Sequence, residues 1–356
     1  MKEREKLVDS KSSTDGSVYQ ASVFFQMLLF GVFGAFLFFL LYRPVVSFMT
    51  DDEYPELSSL TPQEVVDLGG SPTFVDVGLY IRDVSKFDLV DGEIVVDATV
   101  WFLFDPSLIS IERLGKFTFH RATVISKSEP YVRIEKGKLL ARYDMRFLLS
   151  LKLNYKKFPL DDHKINFTLT NHLLSPSEII FQSSRGNLIL NPEIVIHGWE
   201  DIDSTVKIGY LLDEMDPYEK TRTIYHPRVV FSLDFARVGF RSIMVIVLPL
   251  LLVFMIVLFS WTFDPFGRFA TGIMSMSIMS ITAVIAHHFV MERLSPKTGY
   301  LMISNYLFLL ILSFCCIVFL VNVLGKRVTG FYKNVMALVL YIILVTVLIV
   351  LTGPLS

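Results

Sequence analysis

Cysteine is almost absent: the 356 residues include two, Cys315 and Cys316, adjacent within an apolar run. That excludes a disulfide framework, and no Cys–His metal-ligating set can be assembled from the sequence. Charge is also scarce. Asp, Glu, Lys and Arg make up 19% of the chain, against about 25% in an average soluble domain. The formal net charge is −2, so no basic surplus points to nucleic acid as a partner. A Gly-rich phosphate loop, a nucleophile elbow and an HExxH helix are all missing, and no cofactor site is identifiable, so the chain does not read as an enzyme. What is abundant is apolar surface: 52% hydrophobic residues, with 31 Phe. This is the composition of a membrane protein.

About 20 apolar residues are needed to cross a bilayer. Residues 23–42, 242–263, 299–325 and 334–356 each reach that scale without a charge. A fifth uncharged run, 269–286, differs in kind. It is rich in Ser, Thr, Met and Ala and is followed by His287 and His288. Such a helix either is shielded from lipid by its neighbours or faces water, and its hydroxyls favour water. The layout is therefore a tail (1–22), one extra transmembrane helix (23–42), a large soluble domain (43–241) and a four-helix transmembrane domain (242–356). Lys326, Arg327 and Lys333 between the last two helices, and Arg268 between the first two of the bundle, mark cytoplasmic loops. Five crossings then put the N-terminus in the cytoplasm, and the soluble domain and C-terminus outside.

The soluble domain reads as an antiparallel β-sandwich. In residues 75–81 every second residue is apolar, and 147–153 and 164–170 alternate likewise. Residues 94–104 are apolar on both faces, as in a strand packed between two layers. Further strands are expected at 193–199, 205–212 and 227–236, and one short helical turn at 61–67. Turn signals separate them, among them Asp91-Gly92 and Glu135-Lys136-Gly137.

Several local patterns, taken in order, resemble the pentameric ligand-gated ion channels. Phe158-Pro159-Leu160-Asp161 is similar to that family's Phe-Pro-x-Asp turn, and Gly198-Trp199 to its downstream Gly-Trp strand. Arg237 precedes the first bundle helix as a basic residue does in the family, and Pro296-Lys297-Thr298 resembles its outer loop. The Cys pair that brackets the turn in animal receptors is missing, which points to the prokaryotic branch and a bacterial inner membrane. The extra N-terminal helix departs from the family plan.

The resemblance implies a homopentamer in membrane lipid, with permeant inorganic ions and an agonist pocket between subunits. Matching regions offer Trp101, Phe102, Phe117, Phe119, Tyr218 and Tyr225, although aromatics in a sandwich are more often core. Acids at 213–219 suit a small-molecule cation, a metal ion or protons, or are simply a solvated loop. Asp161, Arg237, Pro296 and Lys297 are the expected gating interface, with Asp161 and Arg237 approaching one another. Asp264-Pro265 is a good helix start. Steps of 3.5 residues from it place Arg268, Thr271, Ser275, Ile278, Thr282, Ile285 and Phe289 on one pore-lining face. A register shifted by one selects Met274, Ile281 and His288 instead. Cation versus anion selectivity stays open. His287 and His288 are proton-sensing candidates if they emerge into water, and are not if they face neighbouring helices. A non-conducting receptor with the same fold is the alternative, and a membrane-bound enzyme a more distant one.

Overall fold

The computed structural model describes residues 24–37, 39, 50, 52–60, 69, 71–88, 91–214, 223–237, 241–263, 270–324 and 330–351. The chain forms two compact units. One is Thr50–Asn154 with Asp162–Val238; the other is Tyr155–Asp161 with Gly239–Ser356 and the segment ending at Met49.

The first unit is the β-sandwich. One sheet holds β1 (Thr73–Asp88), β2 (Glu93–Phe104), β4 (Ala122–Lys127), β5 (Tyr131–Glu135), β6 (Lys138–Ser150), β8 (Ile179–Gln182) and β9 (Leu188–Leu190). The other, ordered β10-β11-β7-β3, holds β3 (Thr118–Phe119), β7 (His163–Thr170), β10 (Trp199–Glu214) and β11 (Thr223–Arg237). Among the described residues only β8 and β9 pair in parallel, both with β1. Lys136 and Gly137 join β5 to β6 and both have positive φ, at 50° and 82°, as a two-residue type I′ hairpin requires.

The period-2 pattern predicts the core. Val75, Val77, Leu79 and Ile81 are each 0% exposed, facing Phe167, Leu169, Phe231 and Leu233 of the opposite sheet within one hydrophobic cluster. Phe147 meets Phe167 across the layers edge to face, 6.4 Å between centroids. Burying such side chains contributes about 1.5–3 kcal/mol each. Two expectations are corrected. β2 is fully buried on one face only; its other face (Val95, Trp101, Leu103) is half-covered. Residues 193–198 form turns, and the strand begins at Trp199, with Gly198 at φ 87°, a conformation that breaks an extended run. The expected helical turn at 61–67 lies outside the described residues.

The second unit contains α3 (Arg241–Phe259), α4 (Ala270–Leu294), α5 (Ile303–Val323) and α6 (Gly330–Leu351). Two further helices are α1, the apolar Phe24–Leu37, and α2, the short Ile111–Leu114 of the sandwich. All four of α3–α6 are long and apolar enough to cross a membrane, and α4 is the least apolar of them. α1 packs on α6: Gln26 Nε2 donates to Asn334 Oδ1 at 2.8 Å, and the Phe33 and Tyr341 rings stack at 4.9 Å.

Trp101 lies opposite Gly78 in the β1–β2 ladder, and a Cβ at position 78 would overlap the indole. Gly78→Ala is therefore expected to destabilise the protein by about 1–3 kcal/mol through overpacking. Gly78→Ala combined with Trp101→Leu should recover most of the lost melting temperature, a coupling read by a double-mutant cycle.

Candidate functional site

Four Ser and Thr hydroxyls in and just after α4 donate back to carbonyls one turn earlier: Ser277 to Ile273 (3.0 Å), Ser280 to Met276 (2.8 Å), Thr282 to Ile278 (3.1 Å) and Ser295 to Met291 (2.6 Å). A helix in an apolar setting can carry hydroxyls because its own backbone satisfies them. One side of α4 is packed, with Ile273, Ser277, Ser280, Val284 and Met291 buried. On the other side Thr271, Ser275, Ile278, Thr282, Ile285 and Phe289 are all exposed, whereas Met274, Ile281 and His288 are half-buried on the flank. Every described member of the first register thus lies on the open side of the helix in this single subunit. Arg268 and the helix start at Asp264-Pro265 lie outside the described residues.

The packed side carries polar ties that the sequence reading missed. Asn322 Nδ2 of α5 donates to Ser277 Oγ of α4 at 2.8 Å and to Ser260 Oγ, just after α3, at 3.1 Å. Ser260 in turn donates to the Val257 carbonyl at 2.6 Å. One amide therefore joins three helices, as polar side chains do inside membrane bundles. The available signal was an Asn near the end of an apolar run. α4 extends to Leu294, so His287 and His288 lie within the helix and not at its end. His287 Nε2 meets the Ile246 carbonyl of α3 at 3.0 Å, which requires the proton on Nε2, and the His288 ring stacks on Phe308 of α5 at 4.4 Å. Both imidazoles are half-buried and face neighbouring helices.

The Phe-Pro-x-Asp turn lies between β6 and β7, yet it belongs to the helical unit. α5 has Met302 as N-cap and no side-chain cap. Its first amides find partners in the turn: Ile303 N–H donates to the Lys156 carbonyl at 2.9 Å and Ser304 N–H to the Phe158 carbonyl at 3.2 Å. The Tyr155 N–H donates to the Tyr300 hydroxyl at 2.9 Å. Phe158, Leu160 and Asp161 are buried, and the Phe158–Pro159 bond is cis. In the same unit Pro296 is buried and Lys297 exposed. Arg237 belongs to the sandwich, where its N–H donates to Asp162 Oδ1 at 2.8 Å and its guanidinium lies 4.4 Å from the Trp199 ring centre.

The chain on both sides of the turn, Asn154 beyond β6 and the start of β7, is gripped by Asp52, another residue the sequence reading passed over. Its carboxylate accepts from Asn154 N–H (2.6 Å) and Lys164 N–H (3.0 Å), and lies 3.0 Å from His163 Nδ1 in a buried pair.

The aromatic nominations in the sandwich separate clearly. Phe102, Phe117 and Phe119 are at most 4% exposed and pack on Tyr143 and Phe147 in the core. They cannot line an outer pocket; alternation along a strand does not reveal which face meets the second sheet. Trp101 is half-buried beside Gly78, Tyr225 is half-buried on β11, and Tyr218 lies outside the described residues. An open cleft of about 310 Å³ is found elsewhere in the sandwich, lined among others by Glu53, Glu56, His120, Lys152 and Arg228. Arg228 is 4% exposed, with Nε donating to Thr170 Oγ1 (3.1 Å) and a terminal NH₂ to the Glu56 carbonyl (3.0 Å); burial lowers its pKa.

No protein-family model matches the chain, and no curated protein matches it.

Proline is tolerated at the first helical position, so Ile303→Pro leaves α5 helical while removing the N–H that meets Lys156. Hydrogen exchange should accelerate across residues 155–161, with 307–320 still protected, and Ile303→Val should change neither. Separately, Lys127 is exposed as a residue, but its ammonium lies 3.8 Å from the Phe117 ring centre and donates to the Gly115 carbonyl at 2.6 Å. Burial of the amine, with Lys116 beside it, pushes its pKa down to about 8. The folded state then binds fewer protons than the unfolded one between that value and the ordinary lysine value of about 10.4, so stability rises with pH across that window. Competitive acylation should show Lys127 titrating well below the other lysines.

Proposed function

We propose that the chain is a subunit of a homopentameric ligand-gated ion channel. A small molecule, cation or proton acting on the β-sandwich opens a central pore lined by α4, and inorganic ions pass down their gradient. The observation that carries this reading is the row of exposed residues on α4: the hydroxyls of Thr271, Ser275 and Thr282, then Ile285 and Phe289. Hydroxyls on the unpacked side of a membrane-length helix gain nothing from lipid. Five copies around an axis bring them to water, and rings at Ile278, Ile285 and Phe289 then close the path by dewetting. The order of parts supports the same reading: a two-sheet domain, a Phe-Pro-x-Asp turn, then four apolar helices with the polar one second. In this arrangement α1 is an additional membrane helix beside α6, the N-terminus is cytoplasmic, and the sandwich and C-terminus are on the outer side of a bacterial inner membrane.

The mechanism is a population shift. An agonist opens the channel only by binding the open form more tightly, about 1.4 kcal/mol for each tenfold change in the open-to-closed ratio. Docking of the 155–161 turn on the start of α5 offers a route from the sandwich chain to the helices.

The test is unitary current from the purified full-length protein in planar bilayers, scanned across pH and candidate ligands. In a Cys315→Ala/Cys316→Ala background, cysteines at Thr271, Ser275 and Thr282 should react quickly with a water-soluble thiol reagent and block the current. Cysteines at Met274, Ile281 and His288 should react slowly. The reverse order would put the other face on the pore. Assembled pentamers that never conduct would replace the proposal with a non-conducting receptor.

A further inference from the structure

His172, Asp213 and His226 come from three separate parts of the sandwich. His172 lies two residues beyond the end of β7, Asp213 near the end of β10, and His226 on β11. In the β10–β11 ladder Asp213 pairs with Ile224 and Leu211 with His226. Asp213 and His226 are therefore diagonal neighbours on one face, within reach of each other's side chains. One ligand atom from each of the three residues lies within 4.8 Å of the other two. The His172 and His226 rings are 4.9 Å apart at 62°. His172 is exposed and the other two are half-buried, so the cluster opens to solvent on one side.

We propose that His172, Asp213 and His226 form a binding site for a zinc-like divalent transition-metal ion. Two imidazoles and a carboxylate are the ligand set such ions prefer over Mg²⁺ or Ca²⁺, and three protein ligands leave a fourth position for water. His226 Nε2 stands 3.3 Å from Asp213 Oδ2. That is long for a charge-assisted hydrogen bond, and it equals the ligand-to-ligand spacing of roughly 3.3 Å that tetrahedral bonds of about 2.0–2.1 Å produce. The third ligand atom, on the exposed His172, lies within 4.8 Å of the other two.

Metal binds the neutral imidazole, and burial disfavours the charged form of His226. Burial, then the neighbouring His172, hold His226 below the usual histidine range, against the opposing pull of Asp213 and the Leu174 backbone; Arg228 adds to the lowering. Nearby His120 is lowered likewise by burial and by Arg228, Arg121 and His172. These cations oppose a bound ion, and hydrogen bonds to Thr170 and the Glu56 carbonyl fix the Arg228 guanidinium in place. A bound ion would tie the exit of β7 to both strands of the β10–β11 hairpin. The inference does not depend on whether the helices conduct, because the readout is binding.

The experiment uses tag-free full-length protein in detergent, titrated with Zn²⁺ by calorimetry and with Co²⁺ by visible absorption. The expected result is one ion per chain, with ligand-field bands of a four-coordinate nitrogen–oxygen site and no response to Mg²⁺. His172→Gln, on an exposed loop, should weaken binding at least about tenfold while leaving the metal-free melting temperature unchanged. Asp213→Asn and His226→Gln should do the same to binding. No saturable Zn²⁺ binding in the micromolar range, or unchanged binding in a folded His172→Gln protein, overturns the site and leaves Asp213 and His226 as a simple hydrogen-bonded pair.

Discussion

The first amides of an α-helix have no partners within the helix, and in a packed, apolar setting they must find acceptors elsewhere. At the start of α5 those acceptors are the Lys156 and Phe158 carbonyls, a stretch of chain almost 150 positions upstream. The rest of the helical unit inherits this dependence. α5 carries Asn322, which holds Ser277 of α4 and Ser260 beyond α3, so the placement of α5 is passed to its neighbours. The four helices are therefore not a self-contained fold, because one of their caps is spliced out of the middle of the sandwich sequence.

The sandwich in turn holds the neck of that splice. Asp52 binds the chain on both sides of it, Asn154 beyond the end of β6 and His163 and Lys164 at the start of β7. A single buried carboxylate accepting two backbone amides and facing an imidazole is a strong, directional arrangement. It fixes the ends of the turn on the sandwich side, just as the α5 amides fix its middle on the helical side. Seven residues, Tyr155–Asp161, are thus bounded by hydrogen bonds of two different origins.

Elements with a sustained period were legible. The alternation at 75–81 became the fully buried face of β1, and the uncharged runs became α3, α5 and α6 within a few residues. The open side of α4 also followed from spacing, since a period near 3.5 needs no knowledge of the partner. What escaped had no periodic signature. The end of α4 was drawn too early because His287 and His288 read as polar, while their polarity is absorbed by the Ile246 carbonyl and the Phe308 ring. Phe102, Phe117 and Phe119 look the same in a core or in a pocket until the second sheet is in place. Asp52 and the His172–Asp213–His226 cluster depend on residues brought together from distant positions, and neither follows a local motif.

The contact between α1 and α6 has a bearing on how the chain is made. Gln26 and Asn334 are 308 positions apart, so one partner is synthesised well before the other. At about 5–20 residues per second, Gln26 waits on the order of 15–60 s before Asn334 exists. During that interval the amide must be satisfied by water, by lipid headgroups or by its own backbone. The Gln26–Asn334 bond and the Phe33–Tyr341 stack consequently close only after the whole chain between them has been made, and they record that translation has reached α6.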